Sequence, residues 1–121
     1  MTICVDASLV IKWLIPEEGT EQAILLYEKW RNEDRLLIAP SLIDYEIGST
    51  LRKKILRGAV KTEDLFAAFD FYKRSGLLLF HLTELVEQAV SVATALDQPT
   101  IYDIAYLLTA KQQKADYVTA D

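Results

Sequence analysis

The chain has few of the features that mark secreted, membrane or repeat proteins. Its 121 residues include one cysteine, Cys4, which excludes an internal disulfide. No apolar run approaches the roughly 20 residues that a transmembrane helix needs. The N-terminal residues are apolar but have no basic leader, so a signal peptide is not expected. These absences predict a cytoplasmic protein, and the length predicts one domain.

Basic residues are also scarce. Lysine and arginine number 13 against 18 aspartates and glutamates, which gives a net charge of −5. An acidic balance disfavours non-specific binding of nucleic acid by charge alone. It does not exclude a nuclease, because a metal site is itself rich in carboxylates. Hydrophobic residues make up 51% of the chain, which predicts a globular core rather than disorder.

Strand-like and helix-like segments alternate along the chain. Four short apolar runs predict strands over 2–5, 36–39, 77–80 and 116–119. Helical spacing of apolar residues, caps and breakers predict helices over 7–15, 19–34, 41–57, 62–75, 83–96 and 101–114. This alternation predicts an α/β fold of three layers, with helices on both faces of a central, mostly parallel sheet.

Four acidic residues stand at the ends of predicted elements: Asp6, Glu46, Asp103 and Asp121. Asp6 and Asp121 follow the first and last strands, and ligands of open α/β sheets bind just outside the carboxyl ends of the strands. Glu46 and Asp103 lie near the starts of helices that would pack beside those ends. Four converging carboxylates would repel each other without a cation, and oxygen ligands suit Mg²⁺ or Mn²⁺. The pattern predicts a metal site in which these acids are the catalytic residues.

Each acid also has a simpler interpretation. Asp6 could only cap the helix that follows it. Asp103 lies three residues after Thr100, the spacing of a capping box. Glu46 could belong to a solvated helix face with ordinary charge pairs, and Asp121 could be a solvated acid.

Hydroxyl groups accompany two of the acids. Ser8 follows Asp6 by two residues, and Thr119 precedes Asp121 by two. Both hydroxyls are predicted to support the site through hydrogen bonds. The single histidine, His81, is interpreted as structural or exposed.

Basic residues follow Glu46 along its predicted helix. Lys53 and Arg57 lie seven and eleven residues after it, on one side of the helix. They are predicted to form a track that leads phosphates toward the acids. Lys12 and Arg52 are further candidates for the same role.

The ordered set of motifs resembles the PIN-domain family, and most closely its VapC-type toxins. The matching pieces are Val-Asp-Ala-Ser at 5–8, Pro-Ser-Leu at 40–42 leading to Glu46, Tyr-Asp-Ile-Ala-Tyr-Leu-Leu at 102–108 and Thr-Ala-Asp at 119–121. Their order and spacing match the family over nearly the whole chain.

This resemblance implies a three-layer α/β/α fold and an Mg²⁺- or Mn²⁺-dependent endoribonuclease. It implies that the acids matching Asp6, Glu46, Asp103 and Asp121 form the metal cluster. It also implies an RNA substrate, a homodimer and a cognate antitoxin protein that blocks the site. Relatives usually continue beyond the fourth acid. The single PIN-like domain over 1–121 is therefore expected either to lack a C-terminal helix and strand or to be naturally short.

Other functions remain open from the residues alone. A receiver domain would need an aspartate at the end of a middle strand, but the strands at 36–39 and 77–80 are followed by Pro40 and His81. A haloacid-dehalogenase-type phosphatase would need an aspartate where this chain has Ser8. A non-catalytic PIN-like module for protein interaction or RNA binding is the main alternative.

Two predicted helices carry more apolar residues than one sheet face needs. They span 41–57 and 62–75, and the second includes Phe66, Phe69 and Tyr72. These helices are predicted to form the homodimer interface.

Overall fold

The computed structural model describes residues 1–81 and 83–121, which form four β-strands and six α-helices. In chain order these are β1 (Thr2–Val5), α1 (Ala7–Leu14), α2 (Thr20–Asn32), β2 (Leu36–Pro40), α3 (Ile43–Leu56), α4 (Leu65–Arg74), β3 (Leu78–Phe80), α5 (Thr83–Ala95), α6 (Tyr102–Gln112) and β4 (Asp116–Val118). A 3-10 turn at Thr62–Asp64 leads into α4. The predicted strands and helices are thus confirmed. Among the described helices, none has the length and hydropathy of a membrane-spanning segment.

The strands form one parallel sheet in the order β3-β2-β1-β4. Cys4 of β1 pairs with Ile38 of β2 on one side and with Tyr117 of β4 on the other. In a flavodoxin-like order the first strand lies between the second and the third, so this sheet does not have a receiver topology. Because all pairs are parallel, the carboxyl ends of the strands lie at one edge, where Asp6 follows β1 and Thr119 follows β4.

Helices cover both faces of the sheet. Ile3 and Val5 of β1 belong to the large core formed with α1, α2, α3 and α4. Cys4, between them, points to the opposite face and packs with Ala110 of α6. Successive strand residues point to opposite faces, so the short apolar runs supply both cores. The three-layer α/β/α prediction is confirmed.

One side of α3 packs into the core, and this fixes where the residues beside that side point. Ile43, Ile47 and Leu51, at i, i+4 and i+8, are 0 to 1% exposed. Glu46 and Thr50 each precede one of these positions, so they lie at the edge of the buried side. This placement turns both side chains toward the carboxyl edge of the sheet.

Candidate functional site

A cavity of about 380 Å³ opens at the carboxyl edge of the sheet. Its wall includes the starts of α1 and α6, one side of α3 and the residues after β4. All four predicted acids line it: Asp6, Glu46, Asp103 and Asp121. The fold therefore places in one cavity four acids that are up to 115 positions apart in the sequence, from residue 6 to residue 121.

Asp6 is held by four hydrogen-bond donors. Its Oδ1 accepts from the backbone N–H of Leu9 at 3.2 Å and from Ser8 Oγ at 2.7 Å. Its Oδ2 accepts from the Tyr117 hydroxyl at 3.1 Å and from the Thr119 hydroxyl. The capping interpretation of Asp6 is correct, since the Leu9 contact caps α1. Capping uses one oxygen only, so a role in the cavity is compatible with it.

Ser8 and Thr119 connect the start of α1 to the residues after β4. Their hydroxyl oxygens are 3.3 Å apart. The Ala120 N–H donates to Ser8 Oγ at 3.3 Å, and the Asp121 N–H donates to Thr119 Oγ1 at 3.1 Å. Both hydroxyls also reach Asp6, so Thr119 orients the first acid as well as the backbone of the last. Asp121 itself is exposed at the cavity mouth.

Glu46 is half-buried and paired with a tyrosine. The Tyr106 hydroxyl donates to Glu46 Oε1 at 2.5 Å. Burial raises the pKa of Glu46, the Tyr106 hydrogen bond opposes this, and the negative charges of Asp103 and Asp6 raise the pKa further. Asp103 and Asp6 therefore each repel the Glu46 carboxylate across the cavity.

Two tyrosines, the buried Tyr106 and the half-buried Tyr117, donate hydrogen bonds to the acids. Burial, with the hydrogen bond and charge of Glu46, raises the pKa of Tyr106. Burial and the charge of Asp6 likewise raise the pKa of Tyr117. Both hydroxyls therefore stay protonated at neutral pH. Only the fold shows that each of these tyrosines donates to an acid.

Asp103 is exposed in the first turn of α6. The residue at the cap of this helix is Ile101, and no side-chain capping bond is found there in the described part of the chain. The capping-box interpretation with Thr100 is therefore wrong, because α6 begins one residue too late for it. A negative charge in this turn still interacts favourably with the helix dipole.

The donor set of the cavity suits a hard cation, although its side chains do not surround one point. Within residues 1–81 and 83–121, no three Asp, Glu, His or Cys side chains lie close enough to hold a metal ion. A carboxylate offers about four lone-pair sites, and Asp6 already accepts four hydrogen bonds. Ligation by Asp6 would thus require a donor such as the Thr119 hydroxyl to turn away. The oxygen-only chemistry and the mutual repulsion of the acids both fit Mg²⁺ or Mn²⁺.

The predicted basic residues divide into two groups. Lys12 lines the cavity. Arg52 and Lys53 are exposed on α3, Arg57 is exposed at its C-terminal cap, and all three lie outside the residues that line the cavity. Lys54 lines the cavity instead, because it follows the buried Leu51 by three positions and so lies on the inner side of α3.

Glu17 joins the two lysines of the cavity wall. Its Oε2 is 2.9 Å from Lys54 Nζ, and its Oε1 is 3.2 Å from Lys12 Nζ. Lys12 Nζ also donates to the backbone carbonyl of Glu18 at 2.7 Å. Burial alone would raise the pKa of Glu17, but hydrogen bonds and charges from both lysines outweigh it and lower that pKa.

His81 lies outside the acidic cavity. Its Nδ1 is 3.2 Å from Ser41 Oγ, beside the apolar groove between α3 and α5. This position gives it no contact with the four acids.

The fold and the cavity together define a three-layer α/β protein with a carboxylate-rich site at the ends of its parallel strands. No protein-family model matches the chain. Among curated proteins, it is similar to "Ribonuclease VapC3" of Pyrobaculum aerophilum, with 28% identity over 125 residues that cover 100% of this chain and 90% of the relative. Among solved structures, it is similar to PAE2754 of Pyrobaculum aerophilum, with 25% identity and a TM-score of 0.67. That match covers 100% of this chain and 83% of the other. These two similarities, together with the three-layer fold, support a PIN-domain protein of the VapC type.

Proposed function

We propose that the protein is a metal-dependent endoribonuclease, the toxin of a VapBC-type toxin–antitoxin pair. The observation that carries the proposal is the presence of all four acids in one cavity at the carboxyl edge of the sheet. The similarity to a VapC ribonuclease over the whole chain supports the RNA substrate. The single buried cysteine is consistent with a cytoplasmic location.

The four acids are proposed to hold the cation. Asp6, Glu46, Asp103 and Asp121 would supply carboxylate oxygens to Mg²⁺ or Mn²⁺. Such an ion lowers the pKa of a bound water and offsets the charge of a phosphate. The proposed reaction is hydrolysis of an RNA phosphodiester, in which water attacks phosphorus and the P–O bond to a ribose oxygen breaks.

The surrounding side chains orient the acids. Ser8, Thr119 and Tyr117 hold Asp6, and Tyr106 holds Glu46. Fixed donors of this kind keep carboxylates in a set direction before the substrate arrives.

Phosphates of the RNA are proposed to approach along α3. Arg52 and Lys53 lie on its exposed surface and Arg57 at its C-terminal cap, while Lys12 lies in the cavity wall. In this arrangement the exposed residues attract the RNA and the cavity receives it.

RNA cleavage should depend on a divalent metal. Purified protein with Mg²⁺ or Mn²⁺ is expected to cut structured RNA internally, and EDTA is expected to stop the cleavage. An Asp6→Asn sample prepared in parallel controls for a contaminating nuclease. Cleavage that persists in EDTA, or that equals wild type in Asp6→Asn, would contradict the proposal.

A non-catalytic PIN-like module for RNA binding or protein interaction is the second candidate. It is favoured by one observation, namely that Asp6 already accepts four hydrogen bonds from the protein. The cleavage assay separates the two candidates, because such a module would not cut RNA at any metal concentration.

Two protein partners are proposed: a cognate antitoxin that covers the acidic cavity, and a second copy of the chain. The predicted dimer surface needs revision, because Phe69 and Tyr72 pack against the core of their own chain. Phe66 of α4 and Leu56 of α3 remain, with 83% and 67% of their surface exposed.

Light scattering at micromolar concentration should give the mass of a dimer. Phe66→Asp should shift the mass toward a monomer, because a charge would be buried against apolar surface. Leu25→Asp, at a 64% exposed position on α2 and so outside both predicted interface helices, is the matched control. A monomeric wild type would contradict the homodimer.

A further inference from the structure

Two lysines of the cavity wall converge on one carboxylate. Lys12 comes from α1, Lys54 from α3, and Glu17 from the loop between α1 and α2. The exposed fractions of the three side chains are 23%, 19% and 23%. The group is therefore part of the wall rather than a pair of mobile surface side chains.

Hydrogen bonds within the loop fix the position of the Glu17 backbone. The Glu17 N–H donates to Thr20 Oγ1 at 2.9 Å, and the Thr20 hydroxyl donates to the Ile15 carbonyl at 3.0 Å. Gly19 has a φ of +86°, which only glycine adopts readily. The tight loop thus holds the carboxylate between the lysines.

The arrangement has the charge and shape of an anion site. Two ammonium groups share one carboxylate, which leaves a net positive charge, and each binds a different oxygen, Oε1 for Lys12 and Oε2 for Lys54. A phosphodiester also carries one negative charge and presents two non-bridging oxygens. Each ammonium has three N–H donors, so neither lysine is saturated by Glu17.

We infer that Lys12 and Lys54 form a phosphate-binding subsite for RNA, and that Glu17 occupies this subsite until a phosphate displaces it. The inference rests on the proposed ribonuclease function, because it concerns the substrate of the same cavity. Lys54 is eight residues after Glu46, or about 12 Å along α3. The phosphate at the lysines is therefore a different one from the phosphate at the acids. Thr50 lines the wall between them.

The test pairs each subsite variant with a control that makes the same charge change outside the cavity. Glu17→Gln removes the resident anion, whereas Glu18→Gln changes an exposed side chain next to it. Lys54→Met removes one subsite cation, and Lys29→Met removes an exposed cation of α2 outside the cavity. The probe is a short fluorescent oligouridylate, and its affinity is measured by anisotropy in EDTA over a range of salt concentrations. Melting curves establish that each variant is folded.

Glu17→Gln is expected to tighten binding about two- to fivefold more than Glu18→Gln, the size of one partly screened ion pair. Lys54→Met should weaken binding by a similar factor relative to Lys29→Met. It should also lower the slope of log affinity against log salt by about 0.7, the value for one single-strand phosphate contact. In the Glu17→Gln, Lys54→Met double variant, the gain should be lost. If Lys54→Met does not fold, Lys12→Met takes its place in the same comparison.

Equal affinities of Glu17→Gln and Glu18→Gln, with Lys54→Met indistinguishable from Lys29→Met, would overturn the subsite. That result in a wild type that cleaves RNA would leave the proposed function intact. The expected contrasts in a protein that never cleaves RNA would support the subsite and reject the nuclease. A wild type that neither binds nor cleaves would overturn both.

Discussion

Asp103→Asn is expected to abolish most of the stabilisation by Mn²⁺ and to lower RNA cleavage by roughly 100-fold or more. Asp103 lines the cavity but is exposed in the first turn of α6, so its replacement leaves the core untouched. At a metal concentration ten times the dissociation constant, wild type should gain about 1.4 kcal/mol, from RT ln(1 + [L]/Kd). For a domain of this size that gain is about 5 °C in melting temperature.

In EDTA the same variant should melt within a few degrees of wild type. Loss of the favourable helix-dipole interaction costs about 0.3–1 kcal/mol. Relief of the repulsion between Asp103 and Glu46 offsets part of that cost. Asp97→Asn is the control, since Asp97 is exposed and has a φ of +54°, which asparagine tolerates. An Asp103→Asn protein that still gains the full shift from Mn²⁺ would remove Asp103 from the metal site.

The local sequence pattern was sufficient to predict the strands and helices and to select the four acids that line the cavity. The strands are short and apolar because both faces of the sheet are covered, and Ile3, Cys4 and Val5 alternate between two cores. The parallel order brings the carboxyl ends to one edge. An acid after β1 and another after β4 therefore had to lie near each other. To predict that Glu46 and Asp103 meet the other two acids, it was enough to know which side of each helix faces the carboxyl edge of the sheet.

Contacts that depend on tertiary structure could not be predicted in the same way. Tyr106 donates to Glu46 across 60 positions, and Tyr117 donates to Asp6 across 111. Their sequence positions indicate only burial. Glu17 meets Lys54 because a loop crosses the end of α3, which no spacing rule describes.

The basic stripe illustrates an intermediate case. Lys53 and Lys54 are adjacent, and the predicted track used Lys53. The buried residues Ile47 and Leu51 define which side of α3 faces the core. Lys54 lies about 100° closer to that side, in rotation about the helix axis, than Lys53 does. A helical projection centred on the buried residues would have selected Lys54.

Glu46→Gln is expected to make the metal-free protein more stable at neutral pH. Glu46 is half-buried, and burial together with the charges of Asp103 and Asp6 raises its pKa against the opposing Tyr106 hydrogen bond. Glutamine preserves the shape and still accepts the hydrogen bond from Tyr106. The gain should be a few tenths to about 1 kcal/mol, the size of partly screened charge interactions. The same change should weaken Mn²⁺ binding, so the order of stability reverses when metal is added.

The difference between the two proteins should depend on pH in a definite direction. Because the pKa of Glu46 is raised in the folded state above its ordinary value of 4.5, its ionised form destabilises the fold. That cost is fully present above the folded-state pKa and disappears as the pH falls through it toward 4.5. Urea unfolding in EDTA at neutral pH should show the stabilised Glu46→Gln protein, and the gap should close as the solution is acidified. Asp44→Asn, an exposed acid on the same helix outside the cavity, is the control. A gap that stays constant or widens toward acid pH would mean that neither burial nor the other carboxylates raise the pKa of Glu46 in the folded state. The repulsion that supports a cation at this cavity would then be absent.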